Sequence, residues 1–389
     1  MIKKLLLRLF GVVMILIFLA VGCFFVIRHL MQESVISSAN EMIHHGGISE
    51  IREVTLGGMD QYIAIEGESL DQPICLFLHG GPGLAVPYGI SSRNYKETIS
   101  SHCTVVYWDQ RGAGKTYSQN PVVDTLSYHQ LEEDAKELIS YLIETFEKDK
   151  IYLIGYTWGS VLGLRLASKI PDQLYAYVGL SQVLNPSLSE KELYHWLIED
   201  FTTEGKNQTA LALKQLGEPP YQTESSYVTF QNIINQSNAY VKWTEGLPNV
   251  DVFSWIMQVL SSPNLTLKEA YDTLIQASNE TLNQSEYWKE LQHVNLLEEI
   301  NEIKIPVYFA NGVSDYICST SLLQTWLNDL QAPKKELLIL EESAHYFSTN
   351  DENRLYEWMK DMITIRFPQN EAIEPEEESI ETIISNLLE

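Results

Sequence analysis

Four short segments of this chain combine residue types and spacings that suit nucleophilic attack on a carbonyl carbon. Gly155-Tyr156-Thr157-Trp158-Gly159 sets a hydroxyl between small residues. This is the spacing of a tight strand-to-helix turn that holds a nucleophile exposed at its apex. Further along, Asp315 and His345 complete the order nucleophile, acid, histidine. His79-Gly80-Gly81-Pro82-Gly83 lets the backbone approach a reacting group closely, and a free N–H there can meet a developing oxyanion. The fourth segment, Asp109-Gln110-Arg111-Gly112, puts an acid beside a guanidinium, a local ion pair that can brace a site. Taken singly, His345 is a loop histidine, Asp315 a turn former and the glycines a plain turn. Together they make one chemical constellation.

The fourth segment runs on as Gly112-Ala113-Gly114-Lys115-Thr116, which imitates a phosphate-binding loop. That motif needs a glycine five residues before Gly114, and Asp109 stands there, so nucleotide binding is excluded. No metal ion or cofactor is expected. Nucleic acid is excluded as a partner by a formal net charge of −26, because few bases remain to neutralise phosphates.

The elements that must position these segments follow from hydropathy. Residues 51–56 and 62–66 alternate apolar and polar around Gly57-Gly58, a hairpin pattern. Short apolar runs at 74–78, 105–108, 151–154, 177–180, 307–310 and 336–340 read as buried strands. Helical patterns intervene: 127–146 with Ser127 as cap, 161–168, 319–330 and 353–365. Buried strands separated by helices imply a mostly parallel α/β sheet, whose ligands bind at the C-terminal strand ends. All four segments fall at such ends. From 182 to 303 the alternation stops, and helix-like, Gln/Asn-rich sequence carries no convincing strand. A helical lid inserted between two strands of the sheet is expected there.

The N-terminus is of another kind. Residues 9–27 form an uncharged run of 19 residues, long enough at 1.5 Å per residue to cross a hydrocarbon core of roughly 30 Å. Lys3, Lys4 and Arg8 precede it and Arg28 follows. That bias predicts a single-pass cell-membrane anchor with a cytoplasmic N-terminus and an extracellular body. The alternative is a signal segment and a protein secreted after cleavage; the run is longer than the usual 7–15-residue signal core. The expected organisation is an anchor at 1–29, a stalk at 30–50, an α/β core at 51–181 and 304–366 around a lid at 182–303, and an acidic tail at 367–389. Once the anchor is set apart, the remaining residues carry a net charge of −30. Cys75 and Cys103 lie in apolar runs, where free cysteine behaves as a small buried hydrophobe.

HGGPG, WDQRGAGKT, the GYTWGS elbow, GVSDY and the SAH around His345 resemble the proline iminopeptidase-like branch of the α/β-hydrolase fold. The likeness runs from about 51 to 365, close at the four segments and loose through the lid. It implies that His345 is general base, that Asp315 orients it, and that the N–H groups of Gly81 and Trp158 form the oxyanion hole. It further implies hydrolysis of a short peptide, amide or ester. Aminopeptidases of this branch hold the substrate amine with acidic lid residues, for which Glu199, Asp200 and Glu204 are candidates here. The chain departs from the branch at one decisive position: Thr157 stands where the family has serine. A β-branched residue is poorly suited to a strained turn, and its methyl crowds the attack path. Two functions are therefore carried forward. One is a hydrolase using Thr157; the other is an inactive or impaired relative that binds a small peptide-like ligand.

Overall fold

Gly57 and Gly58 both take positive φ, +54° and +74°, and close a two-residue turn between strands β1 (Ile48–Leu56) and β2 (Met59–Gly67). Paired positive φ values match the right-handed twist of the flanking strands, which is why glycine is needed at both positions. This hairpin forms one edge of the sheet in a computed structural model of the chain. The structure describes residues 2–81, 83–90, 99–122, 125–221, 223–244, 247–248, 252–284 and 290–366. The acidic tail at 367–389 and Pro82 of the glycine-rich segment lie outside the described residues.

The remaining strands of the sheet are β3 (Ile74–Leu78), β4 (Thr104–Asp109), β5 (Ile151–Tyr156), β6 (Leu174–Leu180), β9 (Val307–Gly312) and β10 (Lys335–Leu340). With two short strands, β7 (Trp243–Thr244) and β8 (Leu247–Pro248), set apart in a ribbon, the sheet order is β1-β2-β4-β3-β5-β6-β9-β10. Pairing is parallel from β4 to β10 and antiparallel only at the hairpin edge. The central strands are apolar throughout because both faces are covered. On one face the helix Tyr128–Thr145 buries Leu131, Ala135, Leu138 and Leu142, one turn apart. Ser127 caps it, accepting from the Gln130 amide at 3.1 Å. On the other face the helix Thr349–Arg366 buries Leu355, Met359, Met362 and Ile363. Cys75 and Cys103 are fully buried in that second layer.

Between β6 and β9 lies the helical block expected from the broken alternation. Its first helices (Pro186–Thr203, Asn207–Leu216 and Glu224–Ile234) enclose a small core of their own around Leu197, Phe201, Leu213 and Phe230. The β7–β8 ribbon also belongs to this block, where the sequence suggested no strand. Two residues per strand are too few to register as alternation.

The N-terminal segment forms one helix, Ile2–His44. It is the one described helix long and apolar enough to cross a membrane, and none of its most apolar stretch is buried against the protein. Beyond Arg28 the same helix continues over most of the segment expected as a stalk. There Val35 and Ala39 are buried, and Val35 lies against Gly89.

Candidate active site

Thr157 follows β5 directly and caps the helix Trp158–Lys169, with φ +44° and ψ −114°. This is a backbone region that β-branched residues rarely enter, so the turn is strained. Close packing holds it. A Cβ on Gly155 would stand 2.7 Å from Ser160 Cα, and one on Gly159 would collide with the carbonyls of Leu78 and His79. The two glycines of the elbow are thus required by the approach of helix to strand. The Thr157 amide donates to the Leu180 carbonyl at 2.9 Å, which ties the apex to β6. Its hydroxyl donates to the Gly80 carbonyl. Ser160, the other hydroxyl nearby, is fully buried; it donates to the Thr157 carbonyl and accepts from the Val183 amide at 2.9 Å.

Asp315 sits on the loop after β9, and His345 on the loop after β10. The loops touch: a Cβ on Gly312 would stand 2.7 Å from the Ser343 carbonyl oxygen. Both side chains are buried, and His345 Nδ1 lies 3.2 and 3.3 Å from the two Asp315 oxygens. Asp315 Oδ1 also accepts the amides of Ile317 (3.0 Å) and Cys318 (2.8 Å). Two backbone donors and an imidazole make this an acid fixed in place. Among the described residues no protein group is bonded to the other ring nitrogen of His345. Tyr240 meets the ring edge-on at 5.9 Å, and the Ser181 hydroxyl donates to the His345 carbonyl at 3.1 Å.

Asp315, Cys318 and His345 also bring three potential metal-ligand atoms within 4.8 Å of one another. Burial pushes the Cys318 thiol well up, which keeps it protonated. An ion there would have to displace that proton and the Asp315–His345 hydrogen bond. The residues fit the acid–histidine pair better than a metal centre.

In the glycine-rich segment, Gly80 lies against Tyr156 and Thr157, and Gly81 bridges to Leu84. His79 is buried, and desolvation pushes its imidazole down to about 4, so it is neutral near pH 7. The ion pair expected within Asp109–Gly112 is not the one formed. Arg111 reaches instead to Asp134 on the helix Tyr128–Thr145, with Nε–Oδ2 at 3.0 Å and Nη2–Oδ1 at 3.2 Å. Asp109 accepts the Lys115 amide at 2.7 Å, and desolvation pushes its carboxyl up to about 7. A neighbour brought in by the fold outcompetes one two residues away, because both sides of the guanidinium fork can then be used.

The acidic candidates cluster at the C-terminal end of the helix Pro186–Thr203, with Glu204 as its C-cap. Glu199 and Glu204 are exposed, and Glu204 pairs with Lys206 at 2.7 Å. Asp200 is partly buried and raised by desolvation. The same helix braces the Asp315 loop, with Trp196 stacked on Tyr316 at 4.6 Å and Glu192 accepting from Ser321 at 2.8 Å. Sequence reasoning passed over Glu190. Burial pushes its carboxyl up to about 7, and it lies close enough to Tyr221, Tyr227 and Tyr240 to act on all three. Tyr240 in turn meets the His345 ring.

A hydroxyl at a strained strand–helix turn, an acid–histidine pair on the loops after β9 and β10 and a helical block inserted after β6 define the class. Residues 73–349 match the α/β-hydrolase fold family, and the chain belongs to it. It falls in the proline iminopeptidase-like branch. The probable aminopeptidase YbaC of Bacillus subtilis is 27% identical over 298 residues, covering 77% of this chain and 91% of that protein. A proline iminopeptidase of Lactobacillus helveticus is 23% identical over 290 residues, covering 72% and 86%. Among solved structures, the proline iminopeptidase of Mycobacterium smegmatis superposes with a TM-score of 0.55 at 16% identity, covering 81% of this chain and 98% of that one.

Proposed function

We propose that this chain is a membrane-anchored hydrolase that cleaves a small peptide, amide or ester with Thr157 as nucleophile. His345 takes the hydroxyl proton and returns it to the leaving group, while Asp315 holds the imidazole tautomer. The N–H groups of Gly81 and Trp158 receive the oxyanion; Trp158 is the first residue of its helix, so its amide lies outside the intrahelical ladder. Glu190 is the best placed lid carboxylate for a substrate amine, ahead of Asp200, Glu199 and Glu204. The helix Ile2–His44 anchors the body on the outer face of the cell membrane. The observation that carries this reading is the Asp315–His345 pair: the acid is saturated by two backbone amides and the imidazole, and the second imidazole nitrogen is left to act.

A second reading rests on the Thr157 hydroxyl, which donates to the Gly80 carbonyl and not to His345. Reaching His345 requires a turn about χ1 that swings the methyl against new neighbours. In that reading the chain binds a peptide-like ligand and turns it over slowly or not at all. Prolyl and alanyl coumarin amides and short acyl esters, offered to the native chain, Thr157→Ser and His345→Ala, separate the two. Native activity well above that of His345→Ala supports the hydrolase; equal activity in the two removes it.

A further inference from the structure

Arg28, the first charged residue after the apolar run, does not reach toward solvent. Its Nε donates to the Leu260 carbonyl at 2.8 Å and its Nη2 to the Leu265 carbonyl at 2.7 Å. One turn on, Gln32 donates to the Ser262 carbonyl at 3.1 Å and accepts from Arg28 Nη1 at 3.2 Å. These carbonyls end one lid helix, Val252–Leu260, and lead into the next, Leu267–Tyr271. The long helix therefore satisfies the orphan carbonyls at the C-terminal end of a lid helix. It does so at the level where its own apolar stretch ends.

The two lid helices joined there expose a face unlike the rest of this acidic body. Phe253 is 73% exposed, and Leu267, Tyr271 and Ile275 are exposed at four-residue intervals along the second helix and its continuation Asp272–Gln276. The first helix is apolar at seven of nine positions, and Trp255, Ile256 and Met257 are only partly covered. Water is a poor environment for such a stripe, and nothing in the chemistry of amide cleavage requires it. The opposite side of the second helix faces inward. Its continuation Ala277–Gln284 packs Ala277 and Ser278 against Gly83, and Thr281 donates to the Gly112 carbonyl at 3.2 Å.

We infer that the face formed by Phe253, Leu267, Tyr271 and Ile275 docks on the lipid bilayer surface, held at that depth by Arg28 and Gln32. The inference rests on the reading of the long helix as a membrane span. A bilayer is the occupant because the face is fastened directly to the residue that follows the apolar run. Phe and Tyr on it are residue types that settle at the boundary of headgroups and acyl chains. A helix lying in that plane buries its apolar side roughly 5–10 Å deep. Charge plays no attractive part, since a body of net negative charge gains nothing from anionic lipid. The consequence for function is positional: the helix that packs on Gly83 of the glycine-rich loop continues the one that rests on lipid, which sets that side of the site toward the membrane surface.

The test uses the full chain in zwitterionic vesicles, with an environment-sensitive dye on single cysteines in a Cys23→Ser background. Labels go at Phe253→Cys and Tyr271→Cys, with Val26→Cys inside the apolar run and the exposed Asn328→Cys on the crossover helix Thr320–Asp329 between β9 and β10 as references. A lipid carrying a shallow doxyl quencher should cut emission about twofold or more at 253, 271 and 26, and leave 328 unchanged. Arg28→Gln should weaken quenching at 253 and 271 and spare that at 26. If 253 and 271 behave like 328 while 26 is quenched, the docking face is overturned and the span stands. If 26 is unquenched as well, the span falls and the docking face with it.

Discussion

Two buried acid–base pairs brace the same sheet, and they differ in what they leave unsatisfied. In the Arg111–Asp134 pair everything is used. The guanidinium reaches both Asp134 oxygens, Thr125 and the carbonyls of Leu56 and Gly57, while Asp134 also accepts from Gln61 and Gln130, each at 2.7 Å. In the Asp315–His345 pair the acid is equally saturated, but among the described residues the histidine has one nitrogen to spare. A closed network fixes a loop; a network with one open valence can pass a proton. In the proposed function, the first serves the position of the site and the second its chemistry.

The comparison breaks most visibly at His345. His345→Ala should lower kcat/KM for any substrate by about 10³–10⁴-fold while leaving the thermal transition nearly in place. Arg111→Met should do the reverse. It strands the Asp134 carboxylate in the core, which costs about 3–5 kcal/mol and lowers Tm markedly, yet activity per folded molecule should persist. Activity assays paired with calorimetry on both variants decide the matter. Two variants that lost activity and stability alike would erase the distinction.

The elbow tests whether the open valence is used. In Thr157→Ser the hydroxyl turns without dragging a methyl, and a gain of about 10–100-fold in kcat is expected, the size of a sub-ångström correction of the attacking atom. Burst kinetics with an activated ester report it directly. A Thr157→Ser variant no faster than the native chain would mean that the Gly80 bond, and not the methyl, limits the site.

Much of this site was legible because each segment lies at a strand end and carries its own local pattern: G-x-x-x-G at the elbow, clustered glycines after β3, an acid and a histidine after β9 and β10. What sequence left unread depends on partners distant along the chain. Arg111 was matched with Asp109, two residues away, when the fold brings Asp134 across. Arg28 counted only as a charge flanking a span, although its role is to hold carbonyls more than two hundred residues further on. The lid acids were hardest. In so acidic a chain, charge alone does not separate Glu190 from Glu199, Asp200 or Glu204; burial does, and helix packing sets burial.

Glu190 gives the smallest effect and the finest discrimination. Its carboxyl is raised to about 7 in the folded chain against an ordinary 4.5 when exposed. The unfolded chain releases that proton first. Stability should therefore fall as pH rises from about 4.5 to about 7 and level off beyond, and Glu190→Gln should remove that part of the slope. Substrate binding should run the other way. Once ionised, Glu190 can hold an ammonium, so KM for an amine-bearing amide should drop as pH rises through about 7, while KM for an acyl ester without an amine stays flat. Glu190→Gln should raise the first KM about tenfold, the worth of one hydrogen bond to a charged group, and leave the second unchanged. If both substrates respond alike, Glu190 shapes the lid packing around Tyr221, Tyr227 and Tyr240 and does not select an amine.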